Sequence, residues 1–304
     1  MLRFLRRPLP AIAVLIGLLA CTGAAQAGRG KLLLTGGVSS VEGAAGGGLT
    51  PWAITGSYAT EGEIGGTAFV TGAKTRNDSL AAYGMAVGIH DRIELSIARQ
   101  EFDAKDNLAP LGLTRLRLGQ DILGIKLRVA GDAVLDSDTL LPQVAVGLQH
   151  KKVDAGALGP TLFGPLGARD TGTDVYASAT KLFLAHGLLV NVTLRATRAN
   201  QTGLLGFGGA HAQRRKLQPE ISVARLLSPR VAVGAEFRAK PDNLSRSVLG
   251  AGALKETPWW DVFVAWAPTK DVSMTAAFVD LGKIAPALQP RRQTGAYLSV
   301  QLAF

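Results

Sequence analysis

Eight charged residues sit within stretches where apolar and polar residues alternate: Glu94, Lys126, Arg128, Arg195, Arg230, Glu236, Arg238 and Lys240. Six of the eight are basic. Gathered inside a narrow passage of low dielectric, such a set would concentrate anions, because walls of one sign focus the field on the counter-ion. The same residues also permit a second reading. Charges withdrawn from water need partners, and Glu94, Glu236, Asp174 and Asp261 could pair with the bases as a structural network. Both readings require all these side chains to point to one side of a wall.

No other constellation suggests covalent chemistry. The four histidines, His90, His150, His186 and His211, are scattered along the chain, and no two have metal-ligand spacing within one segment. A nucleophile needs a base beside it, and none can be assembled. Asp132, Asp136 and Asp138 cluster, but they lack the spacing and glycine of a calcium loop. Gly46-Gly47-Gly48 lacks the lysine of a phosphate loop. No catalytic residue, cofactor or metal is expected, and the chain is not expected to be an enzyme.

The elements that would hold the charges are strands. Arg230 to Lys240 places Val231, Val233, Ala235, Phe237 and Ala239 opposite Arg230, Ala232, Gly234, Glu236, Arg238 and Lys240. Leu188 to Thr197, Leu123 to Val129 and Trp260 to Trp266 repeat the pattern, and none has the three-and-four spacing of a helix. The last stretch, Thr294 to Phe304, sets Ala296, Leu298, Val300 and Leu302 on one face. A strand of this length can cross a bilayer core when tilted. With the final phenylalanine it resembles the terminal strand by which Gram-negative outer-membrane barrels are recognised for insertion. Leu298, Val300, Leu302 and Phe304 are therefore the expected insertion signal, and the barrel assembly machinery and outer-membrane lipids the expected partners.

Met1 to Ala27 reads as an export signal. Arg3, Arg6 and Arg7 precede an apolar core, and Ala25-Gln26-Ala27 forms a small-x-small cleavage site. Cys21, the single cysteine, offers the competing possibility of lipidation. Cleavage after Ala27 leaves a mature chain without disulfides. Past residue 27 no apolar run is long enough for a membrane helix. Glycine is abundant, at 37 of 304 residues, and charged residues are only 18% of the chain against ~25% in soluble domains. An exported, net apolar chain of this kind is either a soluble periplasmic β-protein or a β-barrel, since lipid admits only helices and closed barrels. The formal charge of +10 says little about partners, and a secreted chain has no ready access to nucleic acid.

Connections alternate in length. Short ones lie near His90-Asp91-Arg92, Ala185-His186-Gly187, Ser228-Pro229 and Pro268-Thr269-Lys270. Long ones span roughly 103–115, 153–172, 199–213, 241–258 and 282–293. Short turns on one rim and long loops on the other characterise outer-membrane barrels. The count favours about fourteen strands, including Lys31 to Val38 and 51–59. It falls to twelve if the glycine-rich stretch Gly36 to Gly48 folds inward as a plug. Residues 28–50 are thus a first strand or a plug, and 51–304 the barrel. Trp259, Trp260, Trp266 and Phe304 fall where aromatic girdles belong. Two long loops are apolar, Ala155 to Ala168 (Leu158, Leu162, Phe163, Leu166) and Gly203 to Ala210 (Leu204, Leu205, Phe207). They would either capture hydrophobic solutes or pack together and close the barrel.

Five stretches carry a family resemblance: Lys31 to Trp52 (KLLLTGGVSSVEGAAGGGLTPW), Asp91 to Phe102 (DRIELSIARQEF), Glu236 to Leu244 (EFRAKPDNL), Trp259 to Leu281, and the C-terminal strand. Over nearly the whole mature length the chain resembles a proteobacterial, porin-like family of unknown function treated as outer-membrane barrels. The resemblance implies a transmembrane antiparallel barrel in the bacterial outer membrane and carries no substrate. The expected function is a porin-like channel or transporter for small molecules, anionic or hydrophobic. The alternatives are a non-transporting structural or adhesive barrel and an outer-membrane enzyme acting on lipid or peptide.

Overall fold

The computed structural model describes residues 31–36, 38–104, 116–133 and 140–304. The signal-peptide reading, Cys21, Asp136 and Asp138 lie outside them, as does most of the loop at 103–115. Twelve antiparallel strands form a closed barrel: β1 (Ile64–Thr75), β2 (Ser79–Ile89), β3 (Ile93–Asp103), β4 (Arg117–Ala130), β5 (Gln143–Asp154), β6 (Thr171–Phe183), β7 (Leu188–Thr197), β8 (Lys216–Ser228), β9 (Val231–Arg238), β12 (Trp259–Trp266), β13 (Val272–Asp280) and β14 (Thr294–Ala303). A two-stranded ribbon, β10 (Arg246–Ser247) with β11 (Gly250–Ala251), decorates the loop between β9 and β12. Neighbours in sequence pair throughout the wall, and β1 closes on β14 in the register Thr67↔Ala303 to Thr75↔Gly295.

Alternation decides which face is which. In β3, Ile93, Leu95 and Ile97 point outward, while Glu94, Ser96 and Gln100 are buried inside. Leu123, Ile125, Leu127 and Val129 continue the outer surface, together with Val146, Leu148, Val192, Leu194, Val262, Val264 and Leu298. In water such a continuous aliphatic surface would be costly. In lipid it is the required solvent face. Toward the rim of long loops the belt gives way to outward charges, with Arg99 2.7 Å from Asp121 and 3.2 Å from Glu101. The apolar band covers about eight residues per strand, or ~20 Å along the normal at a ~40° tilt. An apolar exterior around a fully paired backbone places this chain in the bacterial outer membrane.

The wall has the twelve strands expected if Gly36 to Gly48 folds inward, rather than the favoured fourteen. Lys31 to Val38 and residues 51–59 are not wall strands; the wall begins at Ile64. The described part of 34–59 is buried inside the barrel instead. The physical reason is width. Eight strands leave an interior that side chains fill, whereas twelve at ~4.8 Å spacing enclose a backbone cylinder of about 12 Å radius. A second layer must fill the difference. The N-terminal segment enters and leaves at the rim of short turns, where Lys31 meets Asp91 at 2.6 Å. Inside, it folds into tight turns bridged at Ser39↔Ala45 and Gly46↔Pro51. Glycines at its apex are required by close approach. A Cβ on Gly47 would stand 2.0 Å from the Glu236 carboxylate, and one on Gly48 2.1 Å from the Tyr297 hydroxyl.

Of the expected girdle aromatics, Trp260 faces outward at the long-loop rim against Phe278, with ring centroids 5.7 Å apart, and Trp266 faces outward at the other rim. Trp259 departs from the pattern. It points inward, 3% exposed, because it is one residue out of phase with Trp260.

Ile125 lies mid-strand in the lipid-facing band. Ile125→Arg is expected to destabilise the barrel by ~2–4 kcal/mol, and His150→Arg, outward near the charged collar, by ~0–1 kcal/mol. Denaturant unfolding in lipid vesicles measures both.

Candidate functional site

The site is the lumen, with the wall supplying one side and the plug the other. The wall's inner face is polar along most of its height: Thr67, Thr71, Ser96, Gln120, Gln149, Ser178, Thr193, Ser222 and Gln301 are buried there. Near the short-turn rim it becomes apolar, and Leu182, Leu189, Ala224, Ala232, Phe263 and Ala265 pack on Leu34, Leu49, Trp52 and Ile54 of the plug. A small cavity of about 30 Å³ remains between these two apolar surfaces.

The eight charges expected to line a lumen are distributed unevenly. Glu94, Lys126, Arg195, Glu236 and Arg238 lie inside the barrel, buried against the plug. Arg128 sits at the short-turn rim, paired with Asp91 and 3.6 Å from Asp132. Arg230 lies in the β8–β9 turn, exposed, with its guanidinium 3.5 Å from the Pro268 carbonyl. Lys240 lies beyond the end of β9, enclosed by loops. Arg230 is therefore corrected from lumen to turn. Its phase is right, but the strand ends before its side chain reaches the interior.

Three groups fasten the plug. Lys126 and Glu94 face each other across β3–β4 at 3.1 Å. Lys126 Nζ donates to the carbonyls of Ala45 (2.9 Å) and Ile54 (2.8 Å), and Glu94 accepts from the amides of Ala45 and Gly56. Glu236 accepts from Leu49 N and Thr50 Oγ1, and Thr50 Oγ1 also lies 2.5 Å from Ser222 Oγ. The third group is the largest. Glu42 of the plug meets Lys151 at 2.5 Å, Arg238 at 2.9 Å and Arg195 at 3.4 Å. Asp174 and Glu220 complete this network from the wall. The interior charges are paired rather than uniformly basic.

Glu42, Lys151 and Glu220 were not among the expected lumen residues. Lys151 and Glu220 carry a legible signal, since Gln149-Lys151-Val153 and Glu220-Ser222-Ala224 fall in the inward phase of their strands. Glu42 carries none, because the segment around it has no period.

From the opposite rim, loops reach down to the plug. The carbonyl of Thr202 accepts from Lys151 Nζ (3.2 Å), so the wall's lysine touches the plug on one side and a long loop on the other. The apolar loops pack together: Leu162, Leu166 and Leu204 are buried with Phe102 and Leu118, and Phe207 with Val153, while Phe163 stays 38% exposed. Above them Lys240 lies 3.6 Å from Glu256 and 4.9 Å from the Trp259 ring centroid, and it donates to Gln201 Oε1. Glu256 accepts the Gln201 amide. Burial pushes the Glu256 carboxyl up to about 7, with Asp242 adding to it, and pushes the Lys240 ammonium down to about 8. Among the described residues no group of three His, Cys, Asp or Glu could hold a metal.

Of the expected insertion residues, Leu298, Val300 and Leu302 occupy the outward phase of β14, and Phe304 exchanges backbone hydrogen bonds with Gly66 at 2.9 and 2.6 Å.

Two measurements probe these contacts. Breaking a buried ion pair from one side costs ~3–5 kcal/mol. Glu42→Gln is therefore expected to lower unfolding stability by that order, and adding Lys151→Met to restore most of it, as read by chemical unfolding in detergent. For the loop pair, a raised carboxyl pKa means the folded state holds a proton that the unfolded state releases. Stability from Glu256 is then present near pH 4.5 and falls as pH rises to about 7. The lowered Lys240 keeps its penalty below about 8 and sheds it above. Amide hydrogen exchange around 240–256, corrected for intrinsic rates, is expected to show less protection at pH 7.5 than at pH 5.

Among solved structures the barrel is similar to the NanC porin in a rhombohedral crystal form, at 9% identity over 77% of this chain and 98% of that one, with a TM-score of 0.50. The KdgM porin gives 8% identity over 78% and 99%, with a TM-score of 0.48. Outer membrane phospholipase A from Escherichia coli gives 11% over 84% and 93%, with a TM-score of 0.42. At 9% identity the likeness to the NanC porin speaks for the fold alone. No curated protein matches the sequence. The sequence profile of one family matches residues 35–301, and by that match this porin-like outer-membrane barrel belongs to the family described as protein of unknown function, DUF3034.

Proposed function

We propose that this barrel is a porin-like channel for small polar molecules, here in its closed state, with the N-terminal segment as a displaceable plug. The observation that carries the reading is the chemistry of the wall. Its inner face is rich in threonine, serine, glutamine and paired charges, the lining a water-filled passage requires. Much of the plug is held by hydrogen bonds and ion pairs, which water or solute can replace, and it joins the wall only through residues 60–63 before β1.

The reading involves no covalent chemistry and no cofactor. Outer-membrane lipid surrounds the barrel, and Leu298, Val300, Leu302 and Phe304 act as its insertion signal for the assembly machinery. A non-transporting structural barrel is the second reading, favoured by the filled lumen itself.

Thr50 and Ser222 provide the test, since their hydroxyls lie 2.5 Å apart between plug and wall. In planar bilayers the wild type is expected to open intermittently. The pair Thr50→Cys and Ser222→Cys is expected to stay shut when oxidised and to reopen on reduction. A barrel lacking residues 31–59 is expected to conduct steadily. If that shortened barrel shows heat-modifiable migration yet passes no current, the structural reading replaces the channel.

A further inference from the structure

Five consecutive strands each place one charged side chain at the same depth of the lumen: Lys151 on β5, Asp174 on β6, Arg195 on β7, Glu220 on β8 and Arg238 on β9. Their signs alternate. Lys151 lies 2.8 Å from Asp174, Arg195 3.6 Å from Asp174 and 2.5 Å from Glu220, and Arg238 3.4 Å from Glu220. The arc begins and ends on a cation, so three positive charges face two negative ones and the wall is left with one unmatched positive charge. Arg195 is further fixed by the Tyr176 ring, 5.1 Å away, and by Gln149 Oε1 at 2.6 Å.

The unmatched charge is met by the plug. The Glu42 carboxylate sits on the concave side of the arc in contact with all three cations, and all six side chains are buried. The other inward carboxylates are engaged elsewhere: Glu94 with Lys126, Glu236 with the plug's amide and hydroxyl groups, Asp261 with the Tyr297 hydroxyl at 3.0 Å.

We propose that the arc is a binding site for the carboxylate of a small polar solute, and that Glu42 occupies it in the solute's place when the channel is closed. The inference rests on the channel reading above. Withdrawal of Glu42 leaves the surplus positive charge of the arc facing a narrow lumen whose low-dielectric walls focus its field on an anion. A solute carboxylate takes that position because two guanidinium groups and an ammonium already converge on it. A neutral molecule of the same size does not. Acidic solute and plug thus compete for one site, and the solute shifts the population toward the open state by its preference for it. Around the arc the wall offers amides and hydroxyls from Gln120, Gln149, Ser178, Thr193 and Ser222, which suit a polyhydroxylated body attached to the acid.

Gluconate and sorbitol differ essentially in a carboxylate against a hydroxymethyl group, and they are the probes. In bilayers holding the full chain at constant potassium chloride, gluconate is expected to raise the open fraction several-fold and sorbitol to leave it unchanged. In the barrel lacking 31–59, gluconate is expected to block current saturably, and Lys151→Met, which brings the arc to neutrality, to lose that block. Equal effects of the two probes on a conducting shortened barrel overturn the acid site and leave the channel standing. A folded shortened barrel that does not conduct overturns the channel instead. Its thermal midpoint then reads the site, which is supported if gluconate alone raises it and overturned if neither probe does. Should the shortened chain not fold, full-length Glu42→Gln carries the comparison. Gluconate is expected to raise its midpoint more than that of the wild type, and an equal rise overturns the inference.

Discussion

Closure of the sheet is the constraint from which the rest of this structure follows. In lipid every backbone amide and carbonyl must be paired within the protein, and β1 on β14 supplies the last ladder. Closing twelve strands leaves a lumen wider than the wall's own side chains can fill. An unfilled lumen is an open pore, and a filled one needs a second layer of chain. The described part of residues 34–59 is that layer. Its backbone is irregular at membrane depth, which is tolerated because wall side chains satisfy it: Lys126 caps two of its carbonyls, and Glu94 and Glu236 accept its amides.

The interior is organised by charge in a way that follows from the same geometry. Neighbouring strands stand ~4.8 Å apart, so inward residues of opposite sign on adjacent strands fall within salt-bridge distance when their depths match. From β5 to β9 this condition holds four times in succession, linking five side chains. An odd number of alternating charges cannot cancel, and the remainder is placed against Glu42. The plug is therefore specified by the wall electrostatically at mid-depth, sterically at Gly47 and Gly48, and by apolar packing of Trp52 and Leu34 lower down. Loops from the opposite rim complete the seal, with Thr202 resting on the same lysine that Glu42 contacts.

Two parts of the interior answer to different conditions. The arc with Glu42 and the Glu94–Lys126 pair are internal to the barrel and balanced in charge. The Lys240–Glu256 contact lies among loops, where burial weakens the ionisation of both partners and brings both near neutral pH. Loop closure is thus the part of the seal most open to adjustment by pH, and plug seating the part most open to competition by a solute charge.

Strand phase was readable from the chain because a pleated strand flanked by lipid on one side and polar groups on the other has a strict period of two. Leu123 to Val129, Leu188 to Thr197 and Trp260 to Trp266 declared both faces, and the short turns at His90 and Pro229 declared the hairpins. The inward direction of Glu94, Lys126, Arg195, Glu236 and Arg238 came with that phase. What tertiary structure alone decided was depth, partner and count. Arg230 shares the phase of Arg238 yet sits in a turn, because the period does not say where a strand stops. Glu42 lies in a stretch with no period, so its three cationic partners, 109, 153 and 196 residues away in sequence, were invisible until the barrel closed around it. Residues 51–59 read as a wall strand because locally nothing distinguishes a segment bound to lipid from one bound to the inside of a wall. Only the width of the finished cylinder makes that choice.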